Sequence, residues 1–415
     1  MKKKQNNWIA AIGVGVEYYD FIIYGLMGTY LSDLFFQGDA SSNRFYYFAI
    51  FSLGYIARPL GGTVFGLISD RYGRKSAFSM MMMISTCATL LIGLLPTESH
   101  WLNYSVFLLI SSRILQGIAI AGELPNASIM LHETNGRDPM QQSFILIAAT
   151  CGNLLALFLL SIVSTLLSKT QMIDWGWRIP FILGAVFGGV CFYVRRGLKE
   201  SEEYLSVKGE IRAENFFYPL RELVTKKPVT LLFSILLSFC MANFILLFFY
   251  MPTYLSSFFS YKASEVYSFM TICLIFSAVV SWFLGKLMRK VSVVKISLIT
   301  SILVLLISYP ILKILLIQHK ISLLCFLMTY QFFTTVIYLM TLVKLSNLFK
   351  VKVRNTSIAF CYNVGFALAS TVPSILSLVI KTSQDKGILL IYLPVIAILH
   401  TLSVVVLNFN KEICR

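Results

Sequence analysis

Apolar residues run along this chain in long stretches broken by short polar connections. Twelve stretches stand out, at about 8–36, 43–69, 76–95, 101–131, 139–168, 176–195, 229–259, 263–288, 292–317, 321–349, 355–380 and 387–408. Each is close to or longer than the ~20 apolar residues that span a bilayer, and several must tilt or extend past it. The pattern predicts twelve transmembrane helices. The longest polar stretch inside the chain, 195–228, has six of them before it and six after. Within it, "ESEEYLSVKGEIRAENFF" reads as a short amphipathic helix. The expected fold is therefore an all-α polytopic membrane protein in two six-helix bundles, 1–196 and 229–415, joined by a linker at 197–228. Two such halves around a midplane site are a transporter layout.

Composition agrees. Of 415 residues, 57% are hydrophobic and 13% charged, against ~25% charged in soluble chains. The net charge of +16 does not call for nucleic acid. Of the 35 Lys and Arg, 24 fall at the termini or in alternate connections. That alternation puts both termini in the cytoplasm and brings the basic residues to anionic lipid. "MKKKQNNW" is followed by Glu17 and Asp20 and by no small-residue cleavage site, so the first helix is expected to stay in an inner, cell membrane. The eight Cys are scattered without disulfide or zinc spacing. His100, His132, His319 and His400 form no catalytic set, and there is no Walker loop or H-E-x-x-H motif. We expect no enzyme, no metal and no cofactor, with a proton gradient as the energy source. The expected partners are a small-molecule metabolite, the proton and lipid, and the expected state is a monomer.

Charged residues inside the apolar stretches carry the chemistry, because each costs roughly 2.5–3.5 kcal/mol at a helix centre on insertion scales. Glu17 and Asp20 lie three apart and share a helix face. Two carboxylates close together out of water repel one another, so one of them can take up and release a proton. Arg113, Gln116, Glu123 and Asn126 form a polar band on the fourth stretch. Arg58, before Pro59 and Gly61–Gly62, can hold a substrate carboxylate, or tie to Glu17. Lys344 is either a second anion anchor or a side chain snorkelling to the cytoplasmic end. Tyr250 and Tyr254, beside Pro252, can cap a cavity, and Tyr362 and Asn363 can bond a ligand.

"GGTVFGLISDRYGRK" (61–75) resembles the loop between the second and third helices of the major facilitator superfamily. "EYYDFIIYG" (17–25), "IARPLGG" (56–62), "RILQGIAIAGE" (113–123), "DWGWRIPF" (174–181) and "YMPTYL" (250–255) are similar to its metabolite:proton symporter branch, which includes proline/betaine, α-ketoglutarate, citrate and shikimate permeases. The likeness is looser in the second half, where "VKLSNLFKVKVR" (343–354) departs from the pattern. The resemblance implies a symporter working by alternating access. It implies that Asp70, Arg71 and Arg74 lock the cytoplasmic faces, and that Arg113 joins Glu17, Asp20 and Glu123 in proton coupling. Arg58, Gln116, Asn126, Tyr250, Tyr254, Lys344, Tyr362 and Asn363 are then the expected substrate residues. Carboxylates or polycarboxylates rank slightly ahead of a zwitterion such as proline or a betaine, because Lys344 adds a cation in the second half; a larger carboxylate ligand such as a siderophore is a further alternative.

Overall fold

The computed structural model describes residues 2–136, 138–198, 200–259, 261, 263–315, 317, 319–383 and 388–409. Regular structure among them is helical, and the chain divides into two compact units. The first, residues 1–136 and 148–217, holds α1 (Lys2–Leu26), α2 (Gly28–Phe35), α3 (Ala40–Ile56), α4 (Arg58–Tyr72), α5 (Arg74–Gly93) and α6 (Leu102–Asn135). It also holds most of α7 (Pro139–Leu166), the short α8 (Lys169–Gln171), α9 (Arg178–Arg195) and α10 (Glu202–Ala213). The second, residues 137–147 and 218–415, takes the first turns of α7 together with α11 (Tyr218–Lys226), α12 (Pro228–Phe259), α13 (Ala263–Leu287) and α14 (Val293–Leu315). It ends with α15 (Lys320–Ser346), α16 (Arg354–Ala369), α17 (Val372–Ser383) and α18 (Ile388–Phe409).

Ten of the described helical stretches are continuous and apolar enough to cross a membrane. The predicted stretches 43–69 and 355–380 are not among them, because each is broken. The first breaks at Ala57, between α3 and α4, and Pro59 follows. The second breaks at Ser370–Thr371, between α16 and α17, and Pro373 follows. Proline lacks the amide proton and its ring crowds the carbonyl four residues back, so a helix bends or stops just before it. The amphipathic helix expected after the sixth stretch is α10. Ser201 caps it, accepting from the Tyr204 amide at 3.1 Å, and Glu202 and Glu203 occupy its first turn, where acids favour the helix dipole.

In the first unit α1 packs on α6 and α9, α5 on α6 and α9, and α4 on α6. Glycine permits the closest of these approaches. A side chain at Gly117 would strike the backbone of Gly54, one at Gly152 the backbone of Gly15, and one at Gly61 the backbone of Ile118. In the second unit α12 packs on α15, α16 and α18, and α14 on α15 and α18. The start of α7 sits on α13, where Gly285 leaves room for Ser143 and Met140. Just outside the apolar stretches, Arg289 reaches back to Asp138, its Nε 2.8 Å from Oδ1 and its Nη2 2.5 Å from Oδ2.

The Arg289 hydrogen bonds hold the Asp138 carboxyl below its usual range. A depressed carboxylate stabilises the fold above its ordinary value near pH ~4, and the contribution is lost as pH falls through the lower folded value. The pair is half exposed on the Arg289 side, so screening limits it to about 0.2–1 kcal/mol. Arg289→Gln is expected to lower the melting temperature slightly at neutral pH, with the difference from wild type vanishing in acid. A difference that grew on acidification would contradict this assignment.

Candidate functional site

The first unit buries its charges in a column that follows α1 and α6. Near the far end of α1 from the chain start, Arg113 is fully buried and meets no carboxylate. Its Nη1 donates to Gln116 Oε1 at 2.7 Å. Its guanidinium lies over the rings of Tyr24 at 4.3 Å, Phe21 at 4.6 Å and Phe51 at 5.1 Å, and its Nε and Nη2 have no hydrogen-bond partner. Arg58 stacks on the same Phe21 ring at 4.7 Å and on Tyr55 at 4.4 Å. Stacking on an aromatic face is worth about 2 kcal/mol or more for a cation shielded from water, which is how two guanidinium groups persist here. Gln116 passes the chain of polar contacts on, its Nε2 donating to Thr89 Oγ1 at 2.8 Å.

One layer along, Asp20 and Glu17 are each 1% exposed. Neither joins an ion pair among the described residues, and none of their four carboxyl oxygens reaches a donor at ordinary hydrogen-bond geometry. The neutral hydroxyls of Thr89 and Ser85, on α5, face Asp20 and Glu17 respectively. Gly184 of α9 leaves the space that Asp20 occupies, since a side chain there would overlap Oδ1. Arg113 is therefore not paired with either acid in this structure: the aromatic rings and Gln116 hold it instead.

The next layer joins Glu123, which the sequence reading singled out, to Arg195, which it did not. Glu123 forms a two-pronged ion pair with Arg195, Nη1 to Oε2 at 3.1 Å and Nη2 to Oε1. Arg195 also donates to the Phe78 carbonyl at 3.2 Å, stacks on the Phe78 ring at 4.6 Å, and lies where any side chain at Gly13 would be. Glu17 is an electrostatic neighbour of both Glu123 and Arg195. As the last residue of α9 beside a basic run, Arg195 reads as a topology charge; only the length of α9 brings it inside.

The last layer lies at the turn between α4 and α5, where Gly73 adopts φ 110°. Arg74 is fully buried, pairing with Asp70 at 3.3 Å and with Glu133 at 2.9 Å and 3.2 Å. Glu133 also accepts from Ser201 Oγ at 2.5 Å, and Glu200 caps the α5 start by accepting from the Arg74 amide at 3.0 Å. Arg71 ties the turn to α10, donating to the carbonyls of Glu214 at 2.5 Å and Ile211 at 3.3 Å. Asn126, expected to meet substrate, belongs to this layer: it accepts from Ser69 Oγ at 2.7 Å and donates to the Arg74 carbonyl at 2.9 Å. Glu133, Glu200, Ser201 and Tyr204 were not singled out in the sequence as members of such a network.

The second unit buries no carboxyl among its described residues, though Lys227 and Arg354 are buried there. Tyr362 and Tyr338 share a hydrogen bond at 3.1 Å. Asn363 donates to the Ala359 carbonyl at 2.7 Å, one turn back. Tyr250 and Tyr254 pack with ring centres 6.3 Å apart, and the Tyr250 hydroxyl has no hydrogen-bond partner. Lys344 sits in the last turn of α15, its Nζ 3.4 Å from Asn408 Oδ1 near the end of α18. In this structure its polar neighbour is that amide.

Helices of this length and apolarity, in two units with one interior column of acids and bases, define an integral multi-pass membrane protein of the carrier type. The chain belongs to the Major Facilitator Superfamily, whose family model matches residues 11–396. A putative proline/betaine transporter of Staphylococcus aureus (strain COL) is 30% identical over 72% of this chain, and the match spans 65% of that relative's length. The glycine betaine/proline/ectoine/pipecolic acid transporter OusA of Dickeya dadantii is 26% identical over 95% of this chain and 81% of its own. The proline/betaine transporter of Salmonella typhimurium is 26% identical over 94% of this chain and 80% of its own. Among solved structures, the proton:xylose symporter XylE superposes with a TM-score of 0.83 at 14% identity, covering 98% of this chain and 96% of that one.

Proposed function

We propose that this protein is a proton-coupled symporter of zwitterionic osmolytes such as proline and betaines, working by alternating access in a cell membrane that it crosses twelve times with both termini cytoplasmic. One observation carries the chemistry. A pair of buried acids without ion partners, Glu17 and Asp20, stands one layer from a buried arginine with unsatisfied N–H groups, Arg113. The acid can carry a proton, and the arginine can receive either that acid, once ionised, or the carboxylate of a substrate. Substrate then binds beside a neutral Asp20, and loss of the proton returns Arg113 to Asp20 and expels the substrate. Only such a difference in affinity between two states lets a proton gradient drive uptake. Asp70, Arg71 and Arg74, in their network with Glu133 and α10, act as the conformational lock.

The zwitterion replaces the carboxylate ranking of the sequence. That ranking rested on Lys344, which lies against Asn408, and the relatives carry proline and betaine names. The test is uptake into proteoliposomes with an alkaline interior. Labelled glycine betaine and proline should accumulate, and citrate and α-ketoglutarate should not. Accumulation of the polycarboxylates alone would overturn the substrate assignment.

A further inference from the structure

We infer that each transport cycle carries two protons, one on Asp20 and one on Glu17, held by two acid–arginine couples stacked along α1. The inference rests on the proposed symport and extends it to stoichiometry. Asp20 and Glu17 are three residues apart, so their Cα atoms are separated by about 4.5 Å along the helix. Within that layer they border different neighbours. Asp20 faces Thr89, which Gln116 links to Arg113. Glu17 faces Ser85 and borders the Glu123–Arg195 pair.

The charged groups around them are accounted for. On α4, Arg58 is stacked on Phe21 and Tyr55. On α6, Arg113 is stacked on three rings, and Glu123 is committed to Arg195. On α9, Arg195 holds Glu123 with both prongs, and the Cys191 thiol lies nearby. On α1 itself, the Tyr19 hydroxyl donates to the Pro180 carbonyl at 2.7 Å. No cation in this set is paired with Glu17 or Asp20. A carboxylate ion kept from water without a counter-ion is strongly unfavourable, whereas a carboxylic acid is tolerated. Both side chains therefore stand as acids in this conformation, and the structure is that of a proton-loaded carrier.

Each acid has its own cation to meet once it loses its proton: Asp20 has Arg113, and Glu17 has Arg195, shared with Glu123. Asp20 decides whether substrate can load. Glu17, which borders the Glu123–Arg195 pair, adds a second proton to the cycle. Glu123 stays ionised on Arg195 and serves as the fixed charge that positions it.

Two measurements test this. The first is independent of substrate: infrared spectroscopy of the carboxyl stretch in purified protein at neutral pH. It should show two protonated-carboxyl bands, one lost in Glu17→Gln and the other in Asp20→Asn; a single band, or none, overturns the inference. The second is the limiting accumulation of labelled glycine betaine in proteoliposomes, with one pH unit imposed and the voltage clamped at zero. Each proton contributes a factor of ten, so wild type should approach about 100-fold and Glu17→Gln should stop near tenfold. A wild-type limit near tenfold overturns the two-proton cycle while leaving the symport reading standing. Transport of glycine betaine with no response to the pH gradient overturns both. If glycine betaine is not carried, the substrate reading falls, and the infrared bands still decide the protonation of the two acids.

Discussion

Asp20→Asn is expected to abolish accumulation of substrate against its gradient while sparing counterflow exchange. The amide is a neutral group of the same shape, so it mimics the protonated acid and fits the space left by Gly184. Substrate can then load at any pH, and Arg113 is never drawn back to the acid. Exchange of external for internal substrate needs no net proton release and survives. Driven uptake needs that release and fails. The assay is labelled uptake with and without an imposed pH gradient, beside counterflow in the same proteoliposomes. Full gradient-driven uptake by Asp20→Asn would remove Asp20 from the mechanism. Its loss together with counterflow, in protein that melts as wild type does, would mean that the residue builds the site rather than coupling it.

Arg195→Met is expected to be among the most destabilising single changes in the first unit. It strands Glu123, fully buried, without its counter-ion. Removing one partner of a buried pair costs about 3–5 kcal/mol. Replacing both partners with apolar residues of similar volume is often neutral by comparison. The double variant Arg195→Met, Glu123→Leu should therefore recover most of the stability that the single variant loses. Thermal melting in detergent checks both. A single variant that melts at the wild-type temperature would show that the pair contributes nothing to the fold.

The two acids of α1 and the basic turn at 70–75 were legible because their neighbours are apolar or follow a specific spacing. A charge among apolar residues has to be explained, and a sequence displays it. What a charge pairs with is a different matter. Nothing near Arg113 in the sequence names its neighbours, yet rings at 21, 24 and 51 converge on it from two other helices. Aromatic residues are so common in this chain that three more carried no signal. Arg195 and Glu200 were hidden for the opposite reason, standing in a stretch crowded with charge. The breaks at Ala57 and at Ser370–Thr371 could be anticipated only as loosening near Pro59 and Pro373. The hydrophobic stretches around them run on without interruption. The two tryptophans of "DWGWRIPF" look alike in the sequence, yet Trp177 is fully buried, edge-on to Phe35 with ring centres 5.8 Å apart, while Trp175 is exposed.

The uneven distribution of charge between the units has an electrical meaning. Moving one elementary charge across the full membrane potential is worth roughly 2.3 kcal/mol per 100 mV. Buried carboxyls belong to the first unit alone among the described residues, so under the proposed proton symport the groups that pick up charge lie there. A zwitterion adds no net charge of its own, and every proton carried with it enters as current. Uptake in such a carrier responds to voltage even when the two sides of the membrane share one pH.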